Sequence, residues 1–165
     1  MKLIKHTFEF LIIISLFLIF KLVGLRISQI IAGFIFKNFG PLFRSKKTSY
    51  ANLSIAFPNL NDLQKNKIMN NVWINYGKIF SEYMFIEKFR TSPKFSNQII
   101  IENQSELEKI KLSNKPVIFI SGHFNNFELM AMHLEKSGID LAAVYRPLNN
   151  FLLNPIMENI RKKYI

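Results

Sequence analysis

The side chains best suited to acid–base chemistry are a histidine and a glutamate five residues apart, His123 and Glu128. Imidazole titrates close to neutral pH, so it can take a proton from a hydroxyl group. A carboxylate on one ring nitrogen would fix the tautomer, and it would stabilise the imidazolium that forms after proton transfer. The pair therefore predicts a general base, His123, that is oriented by Glu128.

Two plainer interpretations of these residues stay open. Asn125 and Glu128 have the spacing of a capping box, in which the glutamate serves only the start of a helix. A single histidine on a turn is also often an ordinary polar turn residue. No metal site is expected, because no second histidine follows His123 at helical spacing. His133, ten residues on, is interpreted as a packing or surface residue, and no cofactor is expected.

The elements around this pair predict an α/β fold. Residues 116–121 form a continuous apolar run that is typical of a strand buried on both faces, and residues 141–145 form a second one. Between them, residues 125–136 predict a helix that ends before Gly138. Strand, helix and strand in this order predict a βαβ unit of a mainly parallel sheet. His123 would lie at the carboxyl edge of that sheet, where open α/β sheets place their active sites.

The part of the chain before this unit is predicted to be mainly helical. Asn61 and Gln64 have capping-box spacing. Apolar residues at three-four spacing follow between residues 68 and 84, which predicts a long amphipathic helix. A short strand is predicted at residues 98–101 and a short helix at residues 106–112.

The N-terminal segment is the most apolar part of the sequence. Residues 10–20 carry no charge. Extension past Lys21 approaches the roughly 20 apolar residues that a spanning helix needs, since a lysine near a helix end can reach the headgroups. A cleaved signal peptide and a buried soluble helix are the alternatives. We favour an uncleaved anchor that spans or lies in the membrane, which divides the chain into an anchor segment, residues 1–38, and a second domain, residues 39–165.

The charge of the chain supports a membrane partner. Lys and Arg number 22 against 11 acidic residues, which gives a net charge of +11. Residues 1–47 carry +7 of this charge, interleaved with apolar side chains. Basic residues beside an apolar segment indicate an anionic membrane face rather than nucleic acid. The chain has no cysteine, which excludes disulfides, zinc thiolates and a cysteine nucleophile.

Three blocks of the sequence, in consistent order, resemble a known family. Residues 121–129 (Ser-Gly-His-Phe-Asn-Asn-Phe-Glu-Leu) resemble the H-x4-D/E block of the bacterial lipid A late acyltransferases, the lauroyl and myristoyl transferases. Residues 144–150 (Val-Tyr-Arg-Pro-Leu-Asn-Asn) are similar to their second block. Asn52-Leu53 and Ala56-Phe57-Pro58 resemble an upstream element, and the hydrophobic N-terminus fits as well.

The resemblance implies a specific activity. Members of the family transfer a fatty acyl chain from acyl-carrier protein to a hydroxyl of a lipid A precursor, at the cytoplasmic side of the bacterial inner membrane. His123 would be the catalytic general base and Glu128 the acid that orients it. The acceptor is a phosphorylated glycolipid, so the expected substrate-binding residues are Arg146, Asn126 and Arg161. A solvated or membrane-facing helix end is the alternative interpretation of the basic cluster at residues 161–163.

The resemblance also implies a longer protein than the present sequence. The sequence stops inside a predicted helix, so we expect residues 39–165 to be a partial, truncated acyltransferase domain. Two function classes stay open. One is an O-acyltransferase that acts on lipid A or on another glycolipid or phospholipid. The other is a non-catalytic, membrane-bound remnant that binds lipid or a partner through its basic apolar face.

Overall fold

The computed structural model describes residues 2–164, and this part of the chain is mainly helical. Its α-helices, numbered α1 to α9 in chain order, are Lys2–Val23, Leu25–Phe39, Lys46–Ala56, Asp62–Glu82, Ile86–Thr91, Pro93–Ser96, Gln104–Ser113, Glu128–Lys136 and Asn154–Tyr164. Short 3-10 turns lie at Gly40–Leu42 and Tyr83–Phe85. The chain divides into two compact units. The first unit comprises residues 16–84, and the second comprises the described residues of 1–15 and 85–165.

The long helix α4 forms as its sequence predicts. Asn61 caps it, since its side chain accepts a hydrogen bond from the backbone N–H of Gln64 at 2.9 Å. The Gln64 side chain in turn accepts from the backbone N–H of Asn61 at 2.9 Å, which completes the capping box. The prediction of a long helix from Asn61 is therefore confirmed.

The chain reverses direction between α1 and α2. The ring centroid of Phe80 on α4 lies 5.0 Å from that of Phe17 and 5.3 Å from that of Phe36. An uninterrupted helix would hold Phe17 and Phe36 roughly 28 Å apart, because the rise is about 1.5 Å per residue. Gly24 makes the reversal with a φ of 80°, a conformation that costs glycine little.

The helices of the first unit pack closely. A Cβ at Gly77 of α4 would overlap the backbone carbonyl of Ala32 on α2, so the two backbones touch at this point. Buried Ser28 donates from its hydroxyl to the carbonyl of Phe20 at 3.0 Å, which ties α2 to α1. Small residues therefore set the distance between α2 and α4, and larger side chains cover the sides of the contact.

The second unit has its own aromatic core. Phe85, Phe89 and Met132 are buried, and Phe95 packs against the first two with ring centroids 6.4 and 5.5 Å away. Arg90 of α5 donates to the carbonyl of Tyr164 on α9 at 3.2 Å and pairs with Glu135 of α8 at 2.5 Å. These bonds fix α5 against α8 and α9.

The predicted βαβ unit is wrong. No strand occurs among residues 2–164, and residues 98–101, 116–121 and 141–145 run as irregular chain. The side chains of Ile118 and Ile120 are 88% and 92% exposed, although the sequence predicted burial on both faces. A parallel strand is stable only with hydrogen-bonded neighbours and a covered surface, and the described residues supply neither to this segment.

Helix α1 could cross a membrane by its length and composition, and in residues 2–164 it is the one helix that meets this test. Most of its apolar side chains are exposed, and Phe17 and Phe20 are the buried exceptions. A buried core helix of a soluble protein would show the opposite pattern.

Candidate functional site

The predicted catalytic segment enters helix α8 by a turn. Asn125 takes the left-handed conformation, with a φ of 55°, which asparagine tolerates better than most residues. The N-cap is Phe127, so α8 begins at Glu128 and not at residue 125 as the sequence predicted. The capping box of Asn125 and Glu128 does not form, because the left-handed turn places Asn125 outside the capping position. Glu128 still lies in the first helical turn.

Glu128 is buried and forms an ion pair. Its side chain is 5% exposed, and its Oε1 accepts hydrogen bonds from Nε and Nη2 of Arg161 at 3.0 and 2.5 Å. A carboxylate at the start of a helix also interacts favourably with the helix dipole. Arg161 lies in the last turn of α9, so this pair joins α8 to α9 across 33 residues.

Arg161 is itself held by an aromatic ring. Its guanidinium carbon lies 5.0 Å from the ring centroid of Tyr145, in a cation–π contact. The Tyr145 hydroxyl donates to Oε1 of Glu158 at 2.8 Å, and the Asn154 side chain donates to the same oxygen at 2.8 Å. Glu128, Arg161, Tyr145, Glu158 and Asn154 thus form one connected polar network, which we call the α9 network.

Charge and hydrogen bonding in the α9 network shift two pKa values. The hydrogen bond from Tyr145, followed by that from Asn154, lowers the pKa of Glu158. The same Tyr145–Glu158 bond raises the pKa of the Tyr145 hydroxyl, since the neighbouring carboxylate disfavours a phenolate. Glu158 is therefore held ionised and Tyr145 neutral at neutral pH.

His123 lies on the exposed surface of the turn. Its ring contacts Phe127 edge to face, with centroids 4.5 Å apart. Within residues 2–164 no hydrogen bond joins His123 to Glu128. The imidazole is therefore accessible to solvent, and its predicted pairing with Glu128 stays a prediction.

The predicted substrate-binding residues occupy different environments. Arg161 is engaged by Glu128, and Asn126 is buried beside the start of α8. Arg146 is exposed, and its Nη2 lies 3.5 Å from Oδ1 of Asn149. The structure therefore brings together Glu128 and Arg161, which the sequence had assigned to separate roles, and within the described residues no hydrogen bond links Arg146 to either.

Sequence reasoning missed the rest of the α9 network. Asn154, Glu158 and Arg161 are spaced four and three residues apart, which places them on one face of a helix. That spacing could have predicted a shared polar face on α9. It could not have predicted the contact with Tyr145, because Tyr145 lies outside the helix.

The loop that carries Arg146 is fixed at two positions that follow Arg146 in the chain. At the first, Oδ1 of Asn154 accepts from the backbone N–H of Leu148 at 2.8 Å. At the second, buried Asn150 donates from Nδ2 to the carbonyl of His6 at 2.9 Å and to Oε2 of Glu9 at 3.1 Å. The first turns of α1 therefore take part in holding this loop.

A second histidine lies beside a small open hollow of about 270 Å³. Desolvation, followed by repulsion from Lys136, lowers the pKa of His133, so this ring is neutral near pH 7. Residues 2–164 contain no group of three His, Asp or Glu side chains that could hold a metal ion.

Comparison with known proteins gives two matches. A family model described as bacterial lipid A biosynthesis acyltransferase matches residues 2–164. The chain is also 25% identical over 122 residues to lipid A biosynthesis acyltransferase 2 of Shigella flexneri. That match covers 73% of this chain and 38% of the relative, so the chain spans well under half of the relative's length. No solved structure matches the chain.

Proposed function

This chain belongs to the bacterial lipid A biosynthesis acyltransferase family, and we propose on this basis that it takes part in transferring a fatty acyl chain from acyl-carrier protein to a hydroxyl of a lipid A precursor. The proposed site of action is the cytoplasmic face of the inner membrane. The exposed α1 helix would hold the protein there.

The exposed imidazole of His123, five residues before a buried and ion-paired carboxylate, is the observation that carries this proposal. A general base must reach the proton that it removes, and His123 is open to solvent on its turn. The acceptor hydroxyl would lose its proton to His123 while its oxygen attacks the thioester carbonyl. The thiol of the carrier would leave, and the proton would return to it from the imidazolium.

Glu128 is the proposed orienting group for His123. Its carboxylate is held in place by Arg161, which limits the positions that it can take. Catalytic hydrogen bonds are often long in a free enzyme and shorten in the substrate complex. We therefore assign the Glu128–His123 hydrogen bond to the complex with the acceptor lipid.

Arg146 is the proposed contact for an acceptor phosphate. It is exposed and basic, and its loop is fixed by Asn150 and Asn154. Arg161 would reach the acceptor only through N–H groups not used by Glu128, since a guanidinium carries five such donors. Asn126 is buried beside the start of α8. Its side chain would contact the acceptor from the buried side of the turn.

The test is mass spectrometry of lipid A from cells with the wild-type gene, with His123→Ala, and without the gene. We expect the wild-type gene alone to restore the added acyl chain. Loss of a general base lowers turnover by roughly 10²–10⁴-fold. Full acylation with His123→Ala would refute the assigned mechanism.

The matched variant is Glu128→Gln, which keeps the shape of the side chain and removes its charge. If Glu128 orients His123, turnover should fall at least about 10-fold. Glu158→Gln is the control, because it removes a carboxylate from the α9 network without touching His123. Equal losses in both variants would assign Glu128 a structural role only.

A further inference from the structure

A basic and apolar surface lies between α2 and α3. Leu42 and Phe43 are adjacent in the chain and are 78% and 86% exposed. Arg44, Lys46 and Lys47 follow directly and are exposed as well. We call Leu42–Lys47 the basic wedge.

The backbone of the basic wedge is fixed on both sides. Before it, Gly40 is buried under the ring of Trp73, and the N–H of Phe43 donates to the Gly40 carbonyl at 2.9 Å. Within it, Ser45 caps α3 by accepting from the N–H of Thr48 at 3.4 Å. The exposure of Leu42 and Phe43 is therefore imposed by the fold of the first unit.

The charge around the basic wedge has one sign. No Asp or Glu occurs between Glu9 and Asp62, whereas six Lys and Arg residues fall in that interval. Lys46 and Lys47 also occupy the first turn of α3, which carries no acidic residue. The positive end of the helix dipole adds to their charge there. The surface thus combines apolar side chains with positive charge that no acidic residue in the surrounding sequence, residues 10–61, offsets.

We propose that the basic wedge is a docking surface for an anionic phospholipid bilayer, separate from the α1 anchor. Lysine and arginine would contact lipid phosphates while Leu42 and Phe43 enter the acyl region. An acidic protein would meet the charges equally well. It would leave two large apolar side chains without the hydrocarbon that favours their burial, so the bilayer is the better match. This proposal does not depend on the acyl-transfer mechanism.

The absence of cysteine permits a direct test on the full chain. Phe43→Cys and Leu63→Cys each accept one environment-sensitive fluorophore. Leu63 is a matched control, because it is 80% exposed in the same unit and lies beside Asp62. With phosphatidylglycerol vesicles we expect a blue shift and increased emission at position 43 and little change at position 63. Equal responses at both positions, or a response at position 43 to acyl-carrier protein and not to vesicles, would overturn the proposal.

A second test measures how much the basic residues of the wedge contribute to vesicle binding. A basic residue near an anionic membrane contributes about fivefold to partitioning. The triple variant Arg44→Gln/Lys46→Gln/Lys47→Gln should therefore bind phosphatidylglycerol vesicles on the order of 100-fold less tightly in co-sedimentation at low salt. Binding to neutral phosphatidylcholine vesicles should change little.

The control for net charge removes three lysines from α4: Lys65→Gln/Lys67→Gln/Lys78→Gln. It should retain most of the binding that the wedge variant loses. Equal losses in the two triple variants would show a general charge effect and refute a local docking surface. Acyl transfer to a detergent-dispersed acceptor, measured in parallel, reports on the proposed function alone.

Discussion

Glu128 accepts two hydrogen bonds from Arg161 through a single oxygen. The two residues are 33 positions apart in the sequence and lie on different helices, α8 and α9. The sequence assigned Glu128 to His123 and Arg161 to a lipid phosphate. Because of this pairing, the position of Glu128, the proposed orienting group, depends on α9. A substitution in α9 that moves Arg161 should therefore also move Glu128.

Removal of Arg161 should destabilise the chain strongly. Arg161→Met removes the cation that pairs with the buried Glu128 carboxylate, and removing one partner of a buried ion pair typically costs about 3–5 kcal/mol of unfolding free energy. Urea denaturation of the full chain measures this loss of unfolding free energy. Glu128→Gln/Arg161→Met should be more stable than the sum of the single variants predicts. Lys109→Met, which removes an exposed ion pair with Glu106, should change the unfolding free energy little; an equal loss there would contradict this explanation.

The Tyr145–Glu158 bond should be visible in a pH titration. Tyr145→Phe removes the main cause of the lowered pKa of Glu158, so that pKa should rise toward its ordinary value. NMR of the Glu158 side-chain carboxyl carbon measures it. A lowered folded pKa stabilises the fold above the unfolded pKa, and this is lost as pH falls through the folded value. The wild type should therefore lose its stability advantage over Tyr145→Phe in acid. An unchanged Glu158 pKa would disprove the bond.

Gly77→Ala should separate α2 from α4. The added methyl group would overlap the carbonyl of Ala32, which is backbone and cannot turn away. Overpacking of this kind costs about 1–3 kcal/mol. Gly33→Ala is the matched control at the same contact, since its Cβ would lie 3.2 Å from the Cγ2 atom of Ile74 and 3.5 Å from the Ile74 carbonyl oxygen, without overlap of the backbone. Thermal denaturation by circular dichroism should show a lower Tm for Gly77→Ala than for Gly33→Ala, and the reverse order would contradict the packing.

Membrane association through α1 should fail when charge is placed on its exposed face. Leu11 and Leu18 lie two turns apart and are both exposed, so Leu11→Arg/Leu18→Arg leaves buried Phe17 and Phe20 in place. An arginine at the centre of a spanning helix costs roughly 2.5–3.5 kcal/mol on insertion scales. Fractionation at high salt, which screens the charges of the basic wedge, should move the variant to the soluble fraction, while the wild type and Leu63→Arg stay with the membrane. Recovery of the wild type as soluble protein at low salt would rule out the anchor.

Local signals in the sequence predicted local structure well. The Asn61–Gln64 capping box and the helix after it form as expected, because both depend on residues within one or two turns. The presence of Glu128 in a first helical turn was also predictable, although Asn125 adopts a left-handed turn and α8 starts later.

Signals that depend on distant partners were less informative. Ile118 and Ile120 have the composition of a buried strand, but a strand also needs neighbours that the local pattern does not reveal. The Arg161–Glu128 pair joins two helices across an irregular loop, and spacing alone carries no information on which glutamate an arginine will meet.

The bonds from Asn150 to the start of α1 set an order of events during synthesis. Asn150 follows Glu9 by 141 residues. At about 5–20 residues per second, the ribosome needs roughly 7–30 s to make the intervening chain. During that interval α1 has been synthesised and lacks its Asn150 contact, so its apolar face is available to other partners before the Arg146 loop can close. The contact between α1 and the proposed substrate-binding loop can thus form only after most of the described chain has been made.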